Sequence, residues 1–318
     1  MRNLSIEIGG LPVVHDLGLD VMLGETVGLV GESGCGNSVT SLGILGMVPG
    51  GGRVRAGSVV FDGVELVRRP AELACVRGTG IAYVSQEPMV ALDPTFPVGR
   101  QLGEAVRRHR RCDRPAARRR VRELLELVNL PTPDAVARRY PHQLSGGMAQ
   151  RVAIAPALAG EPRLLIADEP TTALDVTVQA EILDLLRALQ DRTGMAVLIV
   201  THYWGVVADL CRRAVVMYAG WVVEQALVEP MFDLPLHPYT AGPMAADPHH
   251  AGAGGTLFTI AGTVPPPGDR PHGCGFAPRC PRVTDACTRA PVALAEPEPA
   301  RWRRCIHAGH LLAEGTHR

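Results

Sequence analysis

Glu25-Thr26-Val27-Gly28-Leu29-Val30 runs without a break into Gly31-Glu32-Ser33-Gly34-Cys35-Gly36-Asn37-Ser38. The first run reads as a buried strand, and the second as the tight turn it feeds. The turn fits G-x-x-x-x-G-K-[ST] everywhere except at Asn37, which stands in the lysine position. Glycines let successive backbone N–H groups turn toward an anion, and a helix starting near Asn37 adds its positive end. Ser38 supplies a hydroxyl suited to Mg²⁺. Strand, glycine loop and helix together predict an α/β fold whose first loop cradles phosphate, with backbone from Gly31 through Ser38 and Val39 around it. A glycine-rich strand-to-helix turn is common by itself, so its companions decide.

The companions lie downstream. Leu164-Leu165-Ile166-Ala167-Asp168-Glu169 is an apolar strand ending in two carboxylates. Asp168 is suited to the shell of a Mg²⁺ ion, and Glu169 to accepting a proton from an attacking water. Between Pro162 and Val223, strand-like runs alternate with helical ones, a rhythm that predicts a parallel sheet flanked by helices. The run Gly57 to Gly63 reads as a strand ending in a turn. From about Glu87 to Ala159 the texture is helical and Arg-rich, with Val121, Leu124, Leu125 and Val128 at helical spacing. Beyond Leu236 the chain turns rich in Pro, Gly and His and reads as an irregular appendage.

Composition narrows the class. The chain has 318 residues, with 32 basic and 32 acidic side chains, and every basic one is arginine. Balanced charge argues against a nucleic-acid partner. No stretch approaches the roughly 18 apolar residues of a membrane helix, and the N-terminus is not a secretory signal. A soluble, cytoplasmic chain is expected, reaching a membrane only through partners.

Leu144-Ser145-Gly146-Gly147-Met148-Ala149-Gln150-Arg151 is the most specific segment. With the two motifs above, it resembles the ABC ATPases. In that family, Ser145, Gly146, Gly147 and Met148 correspond to the signature that meets the ATP held by the opposite subunit. Gln86 resembles the glutamine that senses Mg²⁺, Asp175 the dimer-contacting loop, and His202 the γ-phosphate switch. Pro141-His142-Gln143-Leu144, Ala167 to Asp175 and His237-Pro238-Tyr239-Thr240 resemble the subunits of dipeptide, oligopeptide and nickel importers. The resemblance implies a P-loop NTPase cassette with an antiparallel β subdomain, a helical subdomain and a Cys-rich C-terminal extension. It places the nucleotide-binding domain at 1–235, with the helical subdomain at about 87–159, and the extension at 236–318. It implies ATP and Mg²⁺ as ligands, and permease subunits, a second and different ATPase chain and, indirectly, an extracellular binding protein as partners. Its location would be the cytoplasmic face of the membrane.

Cys274, Cys280, Cys287 and Cys305 follow C-x5-C-x6-C-x17-C, without the tight C-x2-C pair usual for zinc. Four thiolates in a segment with little core suit an iron–sulfur cluster, while zinc and free thiols stay open. The resemblance extends to importer ATPases that carry a [4Fe–4S] cluster here. Four departures count against full activity: Asn37, Pro156 in the helix after the signature, Tyr203 where relatives usually have Asp, and Ala149 where relatives often have a polar or basic residue. A catalytically silent regulatory subunit is therefore the competing expectation. A soluble ABC protein of translation or DNA repair is a third, lacking the second cassette or long coiled coil of that class.

Overall fold

The computed structural model describes residues 1–245 and 260–307. It divides into two compact units, one of Met1–Asp20, Val27–Arg68 and Val200–Arg318, the other of Val21–Thr26 and Arg69–Ile199.

In the first unit, strand Arg2–Ile8 lies between Leu11–Leu17 and Arg53–Ser58, antiparallel to both. Leu4, Ile6, Val14 and Leu17 are fully buried, the alternation expected of a sheet with one face on a core. A second sheet places Thr26–Val30 parallel to Arg213–Tyr218, whose hairpin partner is Trp221–Leu227. All five residues of Thr26–Val30 are buried, as in parallel strands covered on both faces. The helix Asn37–Ile44 follows the glycine loop.

In the second unit, Ile81–Val84 runs parallel to Leu164–Asp168, with Ala196–Thr201 on the latter's other side. Helix Arg114–Leu127 buries Ala117, Val121, Leu124 and Leu125, and Asp113 caps it by accepting from the Ala116 N–H at 2.8 Å. Helices Val98–Arg110 and Pro133–Arg138 pack against it. Helix Gly146–Ala157 carries Pro156 inside its last turn, where the ring nitrogen has no N–H to donate to the Val152 carbonyl.

Two expectations need revision. The run Gly57 to Gly63 is split: Arg53–Ser58 ends in the first sheet, and Val60–Phe61 pairs with Val64–Glu65. Gly57, at φ 91°, redirects the chain, and Asp62 and Gly63 at φ 50° and 80° form the tight hairpin turn. The C-terminal appendage is also more regular than its composition suggests. It contributes helices Pro238–Ala245 and Asp285–Arg289, and the strands Ala295–Glu298 and Arg301–Arg303. Arg301–Arg303 extends the sheet beside Trp221–Leu227. Arginines rather than apolar alternation secure that edge: Arg304 Nε donates to the Val222 carbonyl at 2.9 Å, and its guanidinium lies 4.5 Å over Trp221.

Candidate functional site

The candidate residues divide between the two units. In the first, the glycine loop leaves strand Thr26–Val30 and closes on itself. Gly34 and Gly36 hold φ 85° and 102°, a region that side chains resist. Ser33 and Gly34 are exposed at the loop tip, Ser38 and Val39 are half-buried, and Cys35 is fully buried. The Cys35 carbonyl accepts from Gly220 N–H at 2.9 Å, fixing the loop to the hairpin behind it. Burial, aided by the charge of Glu32, pushes the Cys35 thiol up to about 11, so it is inert packing rather than a nucleophile.

Asn37 does not point out as a lysine substitute. It is 8% exposed, its Nδ2 donates to the Gly31 carbonyl at 3.1 Å, and its Oδ1 is buried without a partner. Glu32 is held from behind: Tyr239 Oη accepts from its backbone N–H at 2.8 Å, and Arg279 Nη1 donates to its carboxylate at 3.0 Å. His202 follows strand Ala196–Thr201, its ring 4.2 Å from that of Tyr203. Tyr203 stands at the N-cap of helix Trp204–Leu210 and makes no side-chain cap, a position where Asp would have satisfied an orphan N–H.

In the second unit, Asp168 is buried and accepts from Tyr83 Oη at 2.8 Å. Burial and the Asp168 charge hold the Tyr83 phenol well above its ordinary value, so it stays a donor. Glu169 holds φ 46°, and its Oε2 accepts from Gln86 Nε2 at 2.8 Å and from Thr172 Oγ1 at 2.7 Å. Gln86 and Glu169, read separately in the sequence, are thus bonded to each other. Ser145 caps helix Gly146–Ala157 by accepting from Met148 N–H. A Cβ on Gly147 would lie 2.8 Å from Val178 Cγ1, so that glycine is demanded by packing against helix Val176–Thr193. Asp175 caps this second helix, accepting from Val178 N–H at 2.9 Å. Ala149 is buried, so its lack of a polar group suits its place.

Cys274, Cys280, Cys287 and Cys305 line one small pocket together with His237 and His307. Cys287 Sγ lies 3.4 Å from His307 Nε2. Burial raises the thiols of Cys274, Cys280 and Cys305. Among the described residues, no group of three or more His, Cys, Asp or Glu closes to the spacing of a metal site. The four sulfurs therefore form a soft donor set that is gathered but not preformed.

Tyr83, Thr172, Tyr239 and Arg279 were not singled out from sequence for these contacts. Thr172 and Tyr83 flank motif residues and were findable there; Tyr239 and Arg279 lie 207 and 247 positions from Glu32 and carry no local signal.

A glycine loop between a buried strand and a helix, with a second buried strand ending in Asp-Glu, defines a P-loop ATPase. Residues 14–172 match the ABC transporter family, and residues 223–287 match the oligopeptide/dipeptide transporter C-terminal region. The chain is 43% identical to the oligopeptide transport ATP-binding protein AppD of Bacillus subtilis, covering 93% of this chain and 91% of AppD. It is 44% identical to the dipeptide transport ATP-binding protein DppD of Escherichia coli, covering 95% and 94%. A solved dimer of MJ0796, a bacterial ABC transporter cassette, superposes with a TM-score of 0.63 at 30% identity, over 71% of this chain and 97% of that one. The chain belongs to the ABC transporter family, as an ATP-binding subunit of its oligopeptide/dipeptide branch. It is an ABC ATPase, a transport-coupled enzyme that uses ATP and Mg²⁺. Among the described residues, no helix is long and apolar enough to cross a membrane.

Proposed function

We propose that this chain energises import of peptides through a membrane permease, as one of two different ATPase subunits, and that its own phosphate loop is weakened by Asn37. The peptide reading is supported by the match over residues 223–287 and by relatives named for oligopeptide and dipeptide transport. A delivering extracellular binding protein and a peripheral position on the cytoplasmic face belong to the same reading. We place the nucleotide-binding domain at 1–235, with the helical subdomain at about 87–159, and the extension at 236–318; residues 246–259 and 308–318 of the extension lie outside the described residues.

Each residue then has a task. Backbone N–H groups of the loop from Gly31 to Val39 cradle the phosphates, that of Glu32 instead anchoring the loop on Tyr239 Oη. Ser38 and Asp168 serve the Mg²⁺ shell, which when filled neutralises phosphate charge. Glu169 takes the proton of the attacking water, Gln86 reports its state, and His202 contacts the terminal phosphate. Ser145, Gly146, Gly147 and Met148 face the nucleotide of the partner ATPase, beside the contact made by Asp175. The observation carrying the weakened loop is the Asn37 amide, turned back onto Gly31 and supplying no charge.

The same observation favours a second reading, a catalytically silent subunit whose signature completes a partner's site. Phosphate release by the assembled transporter, with this chain as it stands and with Asn37→Lys, separates them. A rise on restoring lysine supports a competent but weakened site; no activity in either form, with assembly verified, supports the silent subunit.

The four cysteines would hold a [4Fe–4S] cluster, supported by their convergence on one pocket and by their soft donor chemistry. Such a cluster staples a segment with little core. Anaerobic purification with iron and sulfide assay tests this, and zinc without iron would refute it.

A further inference from the structure

The C-terminal extension reaches the phosphate loop at two points that its family role does not explain. Helix Pro238–Ala245 buries Tyr239 to 2% exposure, in ring contact with Tyr218 at 4.7 Å and Phe276 at 5.5 Å. That packing fixes the Tyr239 hydroxyl at 2.8 Å from the Glu32 N–H. Arg279, whose side chain is 7% exposed, meets the Glu32 carboxylate at 3.0 Å. Its other donors are committed as well: Nε to the Ala261 carbonyl at 2.9 Å, Nη2 to the Ile260 carbonyl at 3.1 Å, and Nη1 also to Tyr218 Oη at 3.2 Å. A guanidinium tied at each nitrogen cannot swing out to a phosphate in place of the missing lysine.

We infer that Tyr239 and Arg279 are positioning residues for nucleotide binding, with Arg279 neutralising Glu32 so that the phosphate loop presents no net negative charge to a polyphosphate. The inference rests on reading Gly31 to Val39 as nucleotide-binding. Glu32 is the one charged residue between Gly31 and Val39, and no lysine offsets it. Without Arg279, a carboxylate on the order of 8 Å from an incoming phosphate weakens binding about fivefold at an effective dielectric of roughly 40. Losing the Tyr239 hydroxyl unties the Glu32 N–H from helix Pro238–Ala245 and loosens the loop that carries the neighbouring donors, weakening binding by a similar, salt-independent factor of about five.

The test titrates a fluorescent ADP analogue, N-methylanthraniloyl-ADP with Mg²⁺, into the full chain and into the Asn37→Lys form. Each is compared with its Arg279→Gln, Glu32→Gln, double and Tyr239→Phe variants. Arg279→Gln should raise Kd about fivefold, more at low salt, and the double variant should return within about twofold of the parent. A double variant as weak as Arg279→Gln would show a merely structural role and overturn the inference. So would an unchanged Kd for folded Arg279→Gln. If that variant does not fold, Glu32→Gln and Tyr239→Phe decide: the inference fails if both match the parent. No binding in either background would overturn the nucleotide-binding reading itself, whereas binding indifferent to every variant overturns this inference alone.

Discussion

Replacing Asn37 by lysine is the most informative single change. Asn37 contributes one hydrogen bond, to the Gly31 carbonyl at 3.1 Å, and leaves Oδ1 buried and unpaired. The bond is worth about 1 kcal/mol and the orphan acceptor costs about as much, so removing the amide is nearly neutral for folding. A lysine ammonium about 4 Å from phosphate oxygens gains at most roughly 4 kcal/mol at an effective dielectric of 20. After desolvation, a charge-assisted bond of about 1.5–3 kcal/mol remains, or about 10- to 100-fold in nucleotide affinity. The charge counts for more as the transition state develops, so turnover should rise about 10²–10³.

Asn37→Ala separates the missing charge from a blocking amide. If the defect is the charge, Asn37→Ala stays as weak as the parent, while Asn37→Lys gains both affinity and turnover. Nucleotide titration of the chain and phosphate release by the assembled transporter measure the two effects. An Asn37→Lys chain that folds normally yet binds within twofold of the parent would refute the electrostatic argument. An Asn37→Ala chain matching Asn37→Lys would refute it differently, by making self-closure of the loop the defect.

Other consequences follow from the same contacts. Gly147→Ala places a Cβ 2.8 Å from Val178 Cγ1 and should destabilise by about 1–3 kcal/mol, read as a lower Tm; pairing it with Val178→Ala should restore stability. Glu224 is fully buried, and burial raises its pKa from 4.5 to about 7. A raised carboxylate pKa gives stability that is complete below pH 4.5 and lost as pH climbs through about 7, so Glu224→Gln should abolish a decline of about 3 kcal/mol seen in pH-dependent unfolding. Glu169 holds φ 46°, so Glu169→Gly should relieve about 1 kcal/mol of strain while removing hydrolysis, and a lowered Tm would mark Glu169 as structural instead.

What the sequence discloses follows how locally each feature is encoded. Thr26–Val30, Leu164–Asp168 and Ala196–Thr201 are uninterrupted apolar runs, and they are the buried parallel strands. Helix Arg114–Leu127 announces itself through Asp113 and the spacing of Val121, Leu124 and Leu125. The strand Arg301–Arg303 shows no such pattern, because side chains rather than apolar burial secure it. The glycine loop was legible as a loop. The inward turn of Asn37 was not, since it depends on the carbonyl of Gly31 being left within reach. The contacts of Tyr239 and Arg279 with Glu32 depend on the whole first unit being folded.

These contacts also weigh the two functional readings unequally. Gly147 is required by Val178, and Ser145 and Asp175 cap helices, so a silent subunit would keep all three for stability alone. Their presence does not argue for hydrolysis. Glu169 is different. It accepts the left-handed backbone at a cost of about 1–2 kcal/mol, and its carboxylate is bonded by Gln86 and Thr172 on the outer part of the unit rather than in the core. Left-handed backbone also occurs at turn residues such as Arg111, Glu161 and Ala219, so what sets Glu169 apart is its doubly bonded carboxylate rather than its φ. On the proposed reading of a weakened but working site, the carboxylate that Gln86 and Thr172 hold has a use, and Asn37→Lys together with Glu169→Gly tests that reading against the silent subunit.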